Sequence, residues 1–265
     1  MPRIKSQRSL VERLARQTWP KPNTQEEQQF LTWIKASSEA SAEDREAGAE
    51  VLKFDDTNRP DLWFAEGLAR QWRSLLGMSP KQYPFLQTTP DEAPLRVKVV
   101  NPGLSEVRPY IAAFLARGYR VADDEDLRGL IHVQDKLDYT FGRQRAKTSI
   151  GLYPAAAIQF PIEYVLVDPD EQTMVPLHSE NDVAVPLTTI LGEESTGREY
   201  GYLLTDKDGR RLSRVPFLRD ARGEPISFPP ILNSKTHGQI VVGDDFLMME
   251  TTGTDLTTVQ LVATL

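Results

Sequence analysis

Four prolines between residues 78 and 94 divide this chain into two parts that have different sequence patterns. Proline fixes one backbone torsion and has no amide hydrogen to donate, so a segment with several of them indicates a linker. Before this segment apolar residues recur at helical spacing, and after it short β-prone runs alternate with turns. We therefore predict two domains, a small domain with a proline-rich linker at residues 1–94 and a larger domain at residues 95–265.

In the first domain, the spacing of apolar residues predicts a helix near residues 10–15 and another after the capping-box pattern at residues 24–27. Residues 50–54 predict a strand. In the turn that follows, we expect Arg59 to pair locally and Asp61 to cap a helix that extends to residue 75. We interpret this turn as structural, and a contact with another part of a larger protein is the alternative.

In the second domain, residues 95–100 predict a strand, residues 110–121 a buried strand and residues 123–144 a helix. Further strands are predicted at residues 162–167, 215–218, 239–242, 246–251 and 258–263. Many short strands with one or two helices favour the α+β fold class, here a small N-terminal α/β domain followed by a larger mixed-sheet domain. The chain stops directly after a strand-like run, and we interpret it as a piece of a longer protein.

Composition excludes several kinds of site. The chain has no cysteine, which excludes disulfides, thiolate metal sites and cysteine nucleophiles. Its histidines, His132, His178 and His237, lack ligand spacing, so we predict no metal site. A formal net charge of −7 argues against binding long nucleic acid through phosphates, although the end of an RNA could still be contacted. Neither a secretory signal nor an apolar run of membrane-spanning length is evident, so we expect a cytoplasmic protein.

Several short motifs resemble those of a known family. They occur in the order TNRPDLW (57–63), EGLAR (66–70), QDKL (134–137), TFGRQR (140–145), GREYG (197–201), FPPILNS (228–234) and ETTGTD (250–255). In order and spacing they resemble elements of the phenylalanyl-tRNA synthetase β subunit of the archaeal and eukaryotic cytosolic type. Because they run through nearly the whole chain, the resemblance is to an N-terminal fragment of that subunit.

The resemblance implies that residues 95–265 form the family's editing domain, which hydrolyses the ester of Tyr-tRNA(Phe). A synthetic site that admits phenylalanine in an apolar pocket cannot strongly reject an analogue that only adds a hydroxyl. A second site that hydrogen-bonds this hydroxyl can discriminate, because phenylalanine leaves its buried polar groups unpaired. The implied partners are the acceptor end of tRNA(Phe) and the synthetase α subunit of an α2β2 enzyme.

The resemblance also implies what this chain lacks. The later domains of the β subunit and the class II aminoacylation motifs have no counterpart in the sequence. ATP and magnesium would belong to that absent aminoacylation module, and we expect no cofactor here. The chain should therefore correct the product of a synthetase and not make it.

Seven residues match functional positions of the family. Those implied to be catalytic are Asn233, Gln134 and Arg145, and those implied to bind substrate are Glu250, Leu218, Ser227 and Thr252. Glu250 would accept a hydrogen bond from the tyrosine hydroxyl, and Leu218 would pack against the ring. Ser227 and Thr252 could bond the ester or the amino group, and Asn233 offers both a donor and an acceptor.

The cationic residues near the end of the predicted helix have a separate interpretation. Arg143 and Arg145 could reach phosphates of the tRNA terminus. Lys147 stands where the family often has an acidic residue, so no role is carried over to it. Without the resemblance, such charges are usually a solvated face, Glu250 a solvent-facing strand residue, Asn233 a turn residue and Leu218 part of the core.

No serine and histidine stand at a spacing that indicates a nucleophile–base pair. We therefore hypothesise attack by a positioned water, assisted by backbone amides and by the terminal ribose hydroxyl, with orientation as the main contribution. Two alternatives stay open: an interaction scaffold that has kept the fold without editing, and a free-standing aminoacyl-tRNA deacylase. The presence of Asn233 and Glu250 favours editing over the first, and the abrupt end favours a fragment over the second.

Overall fold

The structure is a computed structural model of the 265-residue chain, and it describes residues 3–7, 25, 28–29, 32, 49–53, 59–75 and 97–265. The chain divides into two compact units, one of residues 1–88, 123–133 and 265 and the other of residues 89–122 and 134–264. The predicted domain boundary at residue 95 stays a prediction, because residues 76–96 lie outside the described part of the chain.

The described ranges of the smaller unit include a strand pair and a helix, besides the residues 123–133. Strands β1 (Arg3–Gln7) and β2 (Ala49–Lys53) run antiparallel, which confirms a strand at residues 50–53. A 3₁₀ turn at Pro60–Leu62 leads into the predicted helix, α1 (Ala65–Leu75). Where a second helix was expected after residue 24, the described residues 25, 28, 29 and 32 are helical. The helix predicted at residues 10–15 and the linker at residues 78–94 lie outside the described residues.

An ion pair stabilises the turn before α1. Arg59 donates to the Asp61 carboxylate through Nε at 2.9 Å and Nη2 at 2.8 Å, which is the local pairing expected from the sequence. The same carboxylate accepts from Arg70 at 3.4 Å, so Asp61 binds two arginines instead of capping the helix as predicted. Gly67 lies against this turn, and a Cβ there would overlap the Asp61 carbonyl oxygen.

The larger unit contains a five-stranded sheet, a three-stranded sheet, a two-stranded antiparallel pair and several short helices. Its elements are, in chain order, β3 (Val97–Val99), α2 (Leu104–Val107), β4 (Tyr110–Arg117), α3 (Asp124–Tyr139), β5 (Thr148–Pro154), β6 (Ile162–Val167), β7 (Thr173–Met174), β8 (Val185–Pro186), α4 (Leu187–Glu193), α5 (Ser195–Tyr200), β9 (Val215–Arg219), β10 (Pro225–Phe228), β11 (Leu232–Asn233), α6 (Lys235–Gly238), β12 (Phe246–Gly253) and α7 (Leu256–Thr264). Helix α3 belongs to this unit only from residue 134 onwards.

The strands form a five-stranded sheet in the order β11-β10-β9-β6-β3 and a three-stranded sheet in the order β4-β12-β5. Strands β3 and β6 run parallel, with Val97 opposite Ile162. The remaining neighbours in these two sheets pair antiparallel. The five-stranded sheet is therefore mixed, and the predicted α+β fold class is confirmed.

Two clusters of buried side chains show how the layers pack. One cluster joins Tyr164 and Leu218 of the five-stranded sheet to Tyr153 and Met248 of the three-stranded sheet, so the two sheets face each other. The other cluster lies on the opposite face of the five-stranded sheet, where α4 covers Phe217. Helix α7 covers the outer face of the three-stranded sheet, with Val259 and Val262 buried. The larger unit is therefore layered as helix, sheet, sheet and helix.

Most of the strands predicted in the second domain are present, one of them, β6, with the predicted ends and the others with shifted ends. They are β3, β4, β6, β9 and β12. Strand β4 is only partly buried, contrary to the prediction, since Phe114 is exposed. The helix predicted at residues 123–144 ends at Tyr139, because the chain then turns through three left-handed residues, 143–145, with φ of 49°, 53° and 66°. No helix in the described ranges is long and apolar enough to cross a lipid bilayer.

Two predicted strands are wrong. Residues 239–242 form no strand, because Asp244 accepts from the Val241 amide in a turn that includes Gly243 with a φ of 106°. Residues 258–263 lie in helix α7, although they are rich in β-branched residues. Asp255 accepts from the amide and hydroxyl of Thr258 and so caps this helix, and its apolar residues pack onto β12 at helical spacing.

Replacing Phe217 with alanine should lower the free energy of unfolding by about 3–5 kcal/mol, because this ring is fully buried between α4 and the sheet. The matched control is Phe114→Ala on β4, whose ring is 45% exposed and whose loss should change stability far less. Chemical denaturation followed by circular dichroism measures both. Equal effects of the two substitutions would contradict the described packing.

Candidate functional site

Glu250 lies on the inner face of β12, the central strand of the three-stranded sheet, and only 2% of it is exposed. This burial excludes the interpretation of Glu250 as a solvent-facing strand residue. The residues opposite it are Ala113 on β4 and Gly151 on β5, neither of which has a polar side chain. The Tyr153 hydroxyl donates to Oε1 of Glu250 at 2.8 Å. Within the described part of the chain, the buried Oε2 has no hydrogen-bond partner.

Burial raises the pKa of the Glu250 carboxyl from its ordinary 4.5 to about 8. The hydrogen bond from Tyr153 and the charge of Arg108 oppose this rise, and the charge of Asp138 adds to it. At neutral pH the carboxyl is therefore largely protonated. A carboxyl in this state can both donate and accept a hydrogen bond, which suits the recognition of a hydroxyl group.

Three of the predicted binding residues lie around the side chain of Tyr153. Its hydroxyl bonds Glu250, and the Ser227 hydroxyl also interacts with it. Leu218 lies in the same buried cluster as the Tyr153 ring and pairs with Ser227 across β9 and β10. Burial first, and then the charge of Glu250, raise the pKa of Tyr153 well above its ordinary value, so it stays a hydrogen-bond donor. Gly151 makes this arrangement possible, because a Cβ there would overlap the phenol.

Thr252, two residues further along β12, is bound to a buried arginine. Arg108 donates to the Thr252 hydroxyl at 3.0 Å and to its carbonyl oxygen at 2.7 Å. The same guanidinium donates to the Ser149 hydroxyl at 3.0 Å and to the Arg145 carbonyl at 3.2 Å. Burial lowers the pKa of Arg108, and the nearby Tyr164, Glu250 and Asp138 side chains partly restore it. Thr252 is therefore oriented by Arg108.

Arg145 connects the turn after α3 to the loop between β10 and β11. Its Nη1 donates to the carbonyl oxygens of Pro230 at 3.1 Å and Ile231 at 2.9 Å. Its guanidinium also lies 4.3 Å from the centre of the Tyr200 ring. The Nε of Arg145 lies 3.4 Å from Oδ2 of Asp138, but this ion pair lacks hydrogen-bond geometry. The predicted contact of Arg145 with tRNA phosphates stays a prediction, while in this structure the side chain binds its own chain.

Asp138 and Gln134 attach the end of α3 to strand β5. The Ile150 amide donates to Asp138 at 2.9 Å, and the Gln134 amide donates to the Ile150 carbonyl at 3.0 Å. Burial raises the pKa of Asp138 to about 7, and the charge of Arg145 opposes the rise. Gln134 and Asp138 together therefore position the strand that carries Tyr153.

Asn233 lies on β11, opposite Ser227 of β10. Its side-chain amide donates to the carbonyl oxygens of Leu152 and Gly238, each at 3.3 Å, so it connects β5 to α6. No described group donates to its Oδ1, and the residue is partly exposed. That oxygen is available to an incoming donor such as a water molecule.

The structure thus brings the seven predicted residues into one region of the larger unit, in two sets. Around Tyr153 lie Glu250, Ser227 and Leu218, with Asn233 beside Ser227. The other three bind to their own chain around β5 and the turn after α3; they are Thr252, Gln134 and Arg145. The roles given to all seven stay predictions.

Sequence reasoning missed three residues of this region: Arg108, Asp138 and Tyr153. Only Tyr153 stands in a largely apolar run, GLYPAA, whereas Arg108 and Asp138 have charged residues within two positions and no local signal that distinguishes them. Nε2 of the buried His237 lies 3.2 Å from Nη2 of Arg222. Among the described residues, no hydroxyl forms a hydrogen bond with this histidine. Among the residues that the structure describes, no group of histidine and acidic side chains is arranged to hold a metal ion.

No protein-family profile matches the chain. The chain is 39% identical over 217 residues to the phenylalanine–tRNA ligase β subunit of Treponema pallidum subsp. pallidum, covering 78% of this chain and 34% of that protein. To the β subunit of Thermococcus kodakarensis it is 36% identical over 218 residues, covering 82% of this chain and 36% of that protein. The chain spans about a third of the length of these curated relatives.

A solved structure has the same fold. It is the crystal structure of an N-terminal fragment of the phenylalanyl-tRNA synthetase β subunit from Pyrococcus horikoshii, with a TM-score of 0.79 and 29% identity. The match covers 98% of this chain and 71% of that fragment. Together these similarities confirm the resemblance inferred from the sequence motifs.

The raised pKa of Glu250 should make the stability of the fold depend on pH. Because the pKa of Glu250 is higher in the folded state than in the unfolded state, protonation of Glu250 favours folding. This contribution to stability is fully present below about pH 4.5 and is lost as the pH rises through about 8. Glu250→Gln should therefore remove a slope of up to about 1.4 kcal/mol per pH unit between these limits. Denaturation at pH 5, 6, 7 and 8 measures it, and parallel pH profiles for both proteins would show that Glu250 is ionised throughout.

Arg145→Met should lower the free energy of unfolding by about 2 kcal/mol, because the loop between β10 and β11 loses two charged hydrogen bonds. Hydrogen exchange should quicken at the Ile231 amide, which bonds the Phe228 carbonyl in that loop. Arg143→Met is the control, since Arg143 is exposed two residues away. Similar exchange in both variants would show that Arg145 does not hold the loop.

Proposed function

In sequence and in fold the chain corresponds to the N-terminal part of phenylalanyl-tRNA synthetase β subunits, and on this basis we propose that its larger unit hydrolyses mischarged Tyr-tRNA(Phe). The relatives are subunits of an enzyme, a phenylalanine–tRNA ligase. We propose that this chain supplies the editing step of such a ligase and not the aminoacylation step.

The observation that carries this proposal is the buried, unpartnered Oε2 of Glu250. A buried polar atom without a partner destabilises a fold by about 1–3 kcal/mol, so it needs an explanation. A bound tyrosine explains it, because its phenol would bond this oxygen. A bound phenylalanine would leave the oxygen unpaired, and the site would discriminate by that difference.

For the chemistry we propose attack by a water molecule that Asn233 positions. The free Oδ1 of Asn233 accepts a hydrogen bond from the water, and its Nδ2 is already fixed by Leu152 and Gly238. The water oxygen forms a bond to the ester carbonyl carbon, and the bond between that carbon and the ribose oxygen breaks. The water protons end on the released ribose hydroxyl and in solvent, and the products are tyrosine and tRNA(Phe). The neighbouring ribose hydroxyl and orientation by the site assist the step.

The partners follow from the same proposal. The acceptor end of tRNA(Phe) brings the ester to the site, and the α subunit together with later β-subunit domains supplies the charged tRNA in the cytoplasm. With a net charge of −7, the chain would bind tRNA weakly by itself. Binding through the remainder of a synthetase would compensate for this.

A second candidate is a structural or interaction role without catalysis. Glu250, Leu218, Ser227 and Thr252 are each at most 3% exposed, and Arg145 is engaged by its own chain. A site of this kind must open before an ester can enter it. A chain that never opens would keep the fold and serve as a scaffold.

Glu250→Ala should reduce the preference for Tyr-tRNA(Phe) over Phe-tRNA(Phe) by roughly 10- to 100-fold, because one hydrogen bond to a charged or acidic group is lost. Release of each labelled amino acid from its tRNA measures this, at micromolar protein to offset weak tRNA binding. Glu224→Ala, at an exposed glutamate, is the control.

The outcomes separate the candidates. Equal loss for both esters in Glu250→Ala would contradict the recognition role of Glu250. Hydrolysis of neither ester by the unaltered chain, even as part of a complete synthetase, would support the scaffold. Full-rate hydrolysis of a 2′-deoxy-terminated Tyr-tRNA would argue against assistance by the ribose.

A further inference from the structure

The Glu250 carboxyl is oriented by a single hydrogen bond. The Tyr153 hydroxyl donates to its Oε1 at 2.8 Å, and the residues opposite Glu250 on both neighbouring strands, Ala113 and Gly151, have no polar side chains. Arg108 and Asp138 act on the carboxyl through their charges. The direction in which the second oxygen points is therefore set by Tyr153.

The position of Tyr153 is itself fixed by its surroundings. The side chain is fully buried, and its ring belongs to the cluster between the two sheets. Its hydroxyl lies over Gly151, which has no Cβ to displace it, and beside Ser227. A phenol in such a place has little freedom to move, so it provides a rigid anchor.

From these contacts we infer that Tyr153 is a specificity-determining residue, which holds Oε1 of Glu250 so that only Oε2 is presented to the phenol of a bound tyrosine. This inference rests on the proposed function. Tyr153 touches Glu250 and not the ester, so it is a positioning residue. The side chain of Tyr153 is itself a phenol, like that of a bound tyrosine. Its bond to Oε1 shows that the carboxyl can accept a hydrogen bond from a phenol in this environment.

The discrimination between tyrosine and phenylalanine depends on this anchoring. When Oε1 is held, the carboxyl cannot rotate to pair Oε2 elsewhere, so a phenylalanyl ester leaves Oε2 buried and unpaired. Without the Tyr153 hydroxyl the carboxyl can turn and relax, and the difference between the two esters shrinks. Removing this donor also favours the protonated carboxyl, because a hydrogen bond to the charged form stabilises that form.

The test is Tyr153→Phe, with Tyr164→Phe as the matched control. Tyr164 is another fully buried tyrosine of the same cluster, but its hydroxyl donates to the Arg108 carbonyl at 2.9 Å and not to Glu250. In Tyr153→Phe we expect kcat/KM for Tyr-tRNA(Phe) to fall about 10-fold and kcat/KM for Phe-tRNA(Phe) to stay unchanged. In Tyr164→Phe the ratio of the two should stay at its original value.

A second readout does not need catalysis. The titration of Glu250, followed by ¹³C NMR of labelled glutamate, should move upward by about one to two pH units in Tyr153→Phe and stay in place in Tyr164→Phe. Gly151→Ala provides an independent variant, because its added Cβ displaces the phenol while Tyr153 remains. It should reproduce the titration shift of Tyr153→Phe.

The inference is overturned if Tyr153→Phe leaves the Glu250 titration unchanged, or if it hydrolyses Tyr-tRNA(Phe) as fast as the unaltered chain or faster. The faster rate would mean that Tyr153 obstructs the acceptor. If the unaltered chain hydrolyses neither ester, the proposed function fails, and the titration still decides whether Tyr153 holds the carboxyl.

Discussion

A polar group buried between two sheets destabilises the fold unless another group bonds it, and this constraint organises the inside of the larger unit. Arg108 illustrates it, since its guanidinium bonds Thr252, Ser149 and the Arg145 carbonyl. These bonds connect β12 to β5 and to the turn after α3. Because the partners belong to segments far apart in the chain, the buried polar groups also determine how those segments sit together.

Glu250 is one of the exceptions to this constraint within the described region, since one of its oxygens is bonded and the other, like Oδ2 of Asp138, is not. Burial raises its pKa, which reduces the destabilisation by keeping the carboxyl neutral near pH 7. An incompletely satisfied group of this kind is what a recognition site needs, because the missing partner is then supplied by the ligand. The same burial means that the site has to open before a ligand can reach it, so recognition and local motion are linked in this part of the fold.

How well each helix or strand could be predicted depended on the strength of its local sequence pattern. Strand β6 was predicted with its exact ends, because a run of mostly apolar and β-prone residues bounded by turns is a strong local pattern. Strand β5, which carries Gly151 and Tyr153, was missed. Glycine weakens the local strand pattern, and Gly151 is required only by the close approach of the Tyr153 phenol in the folded structure. Helix α7 was predicted as a strand, because Thr258 and its β-branched neighbours favour strands locally while packing on β12 and the Asp255 cap favour a helix.

The sequence alone determined the order of the motifs, and through them the likeness to the N-terminal part of synthetase β subunits and the positions of residues such as Glu250 and Asn233. It also excluded thiol chemistry, since composition needs no structure to interpret. Only the tertiary structure decided that Glu250 is buried, that Tyr153 holds one of its oxygens and that Arg145 binds a loop of its own chain. The physical reason is that burial and hydrogen bonding depend on which distant segments meet. Tyr153 and Glu250 are far apart in sequence, and they become partners only because β5 and β12 pair in one sheet.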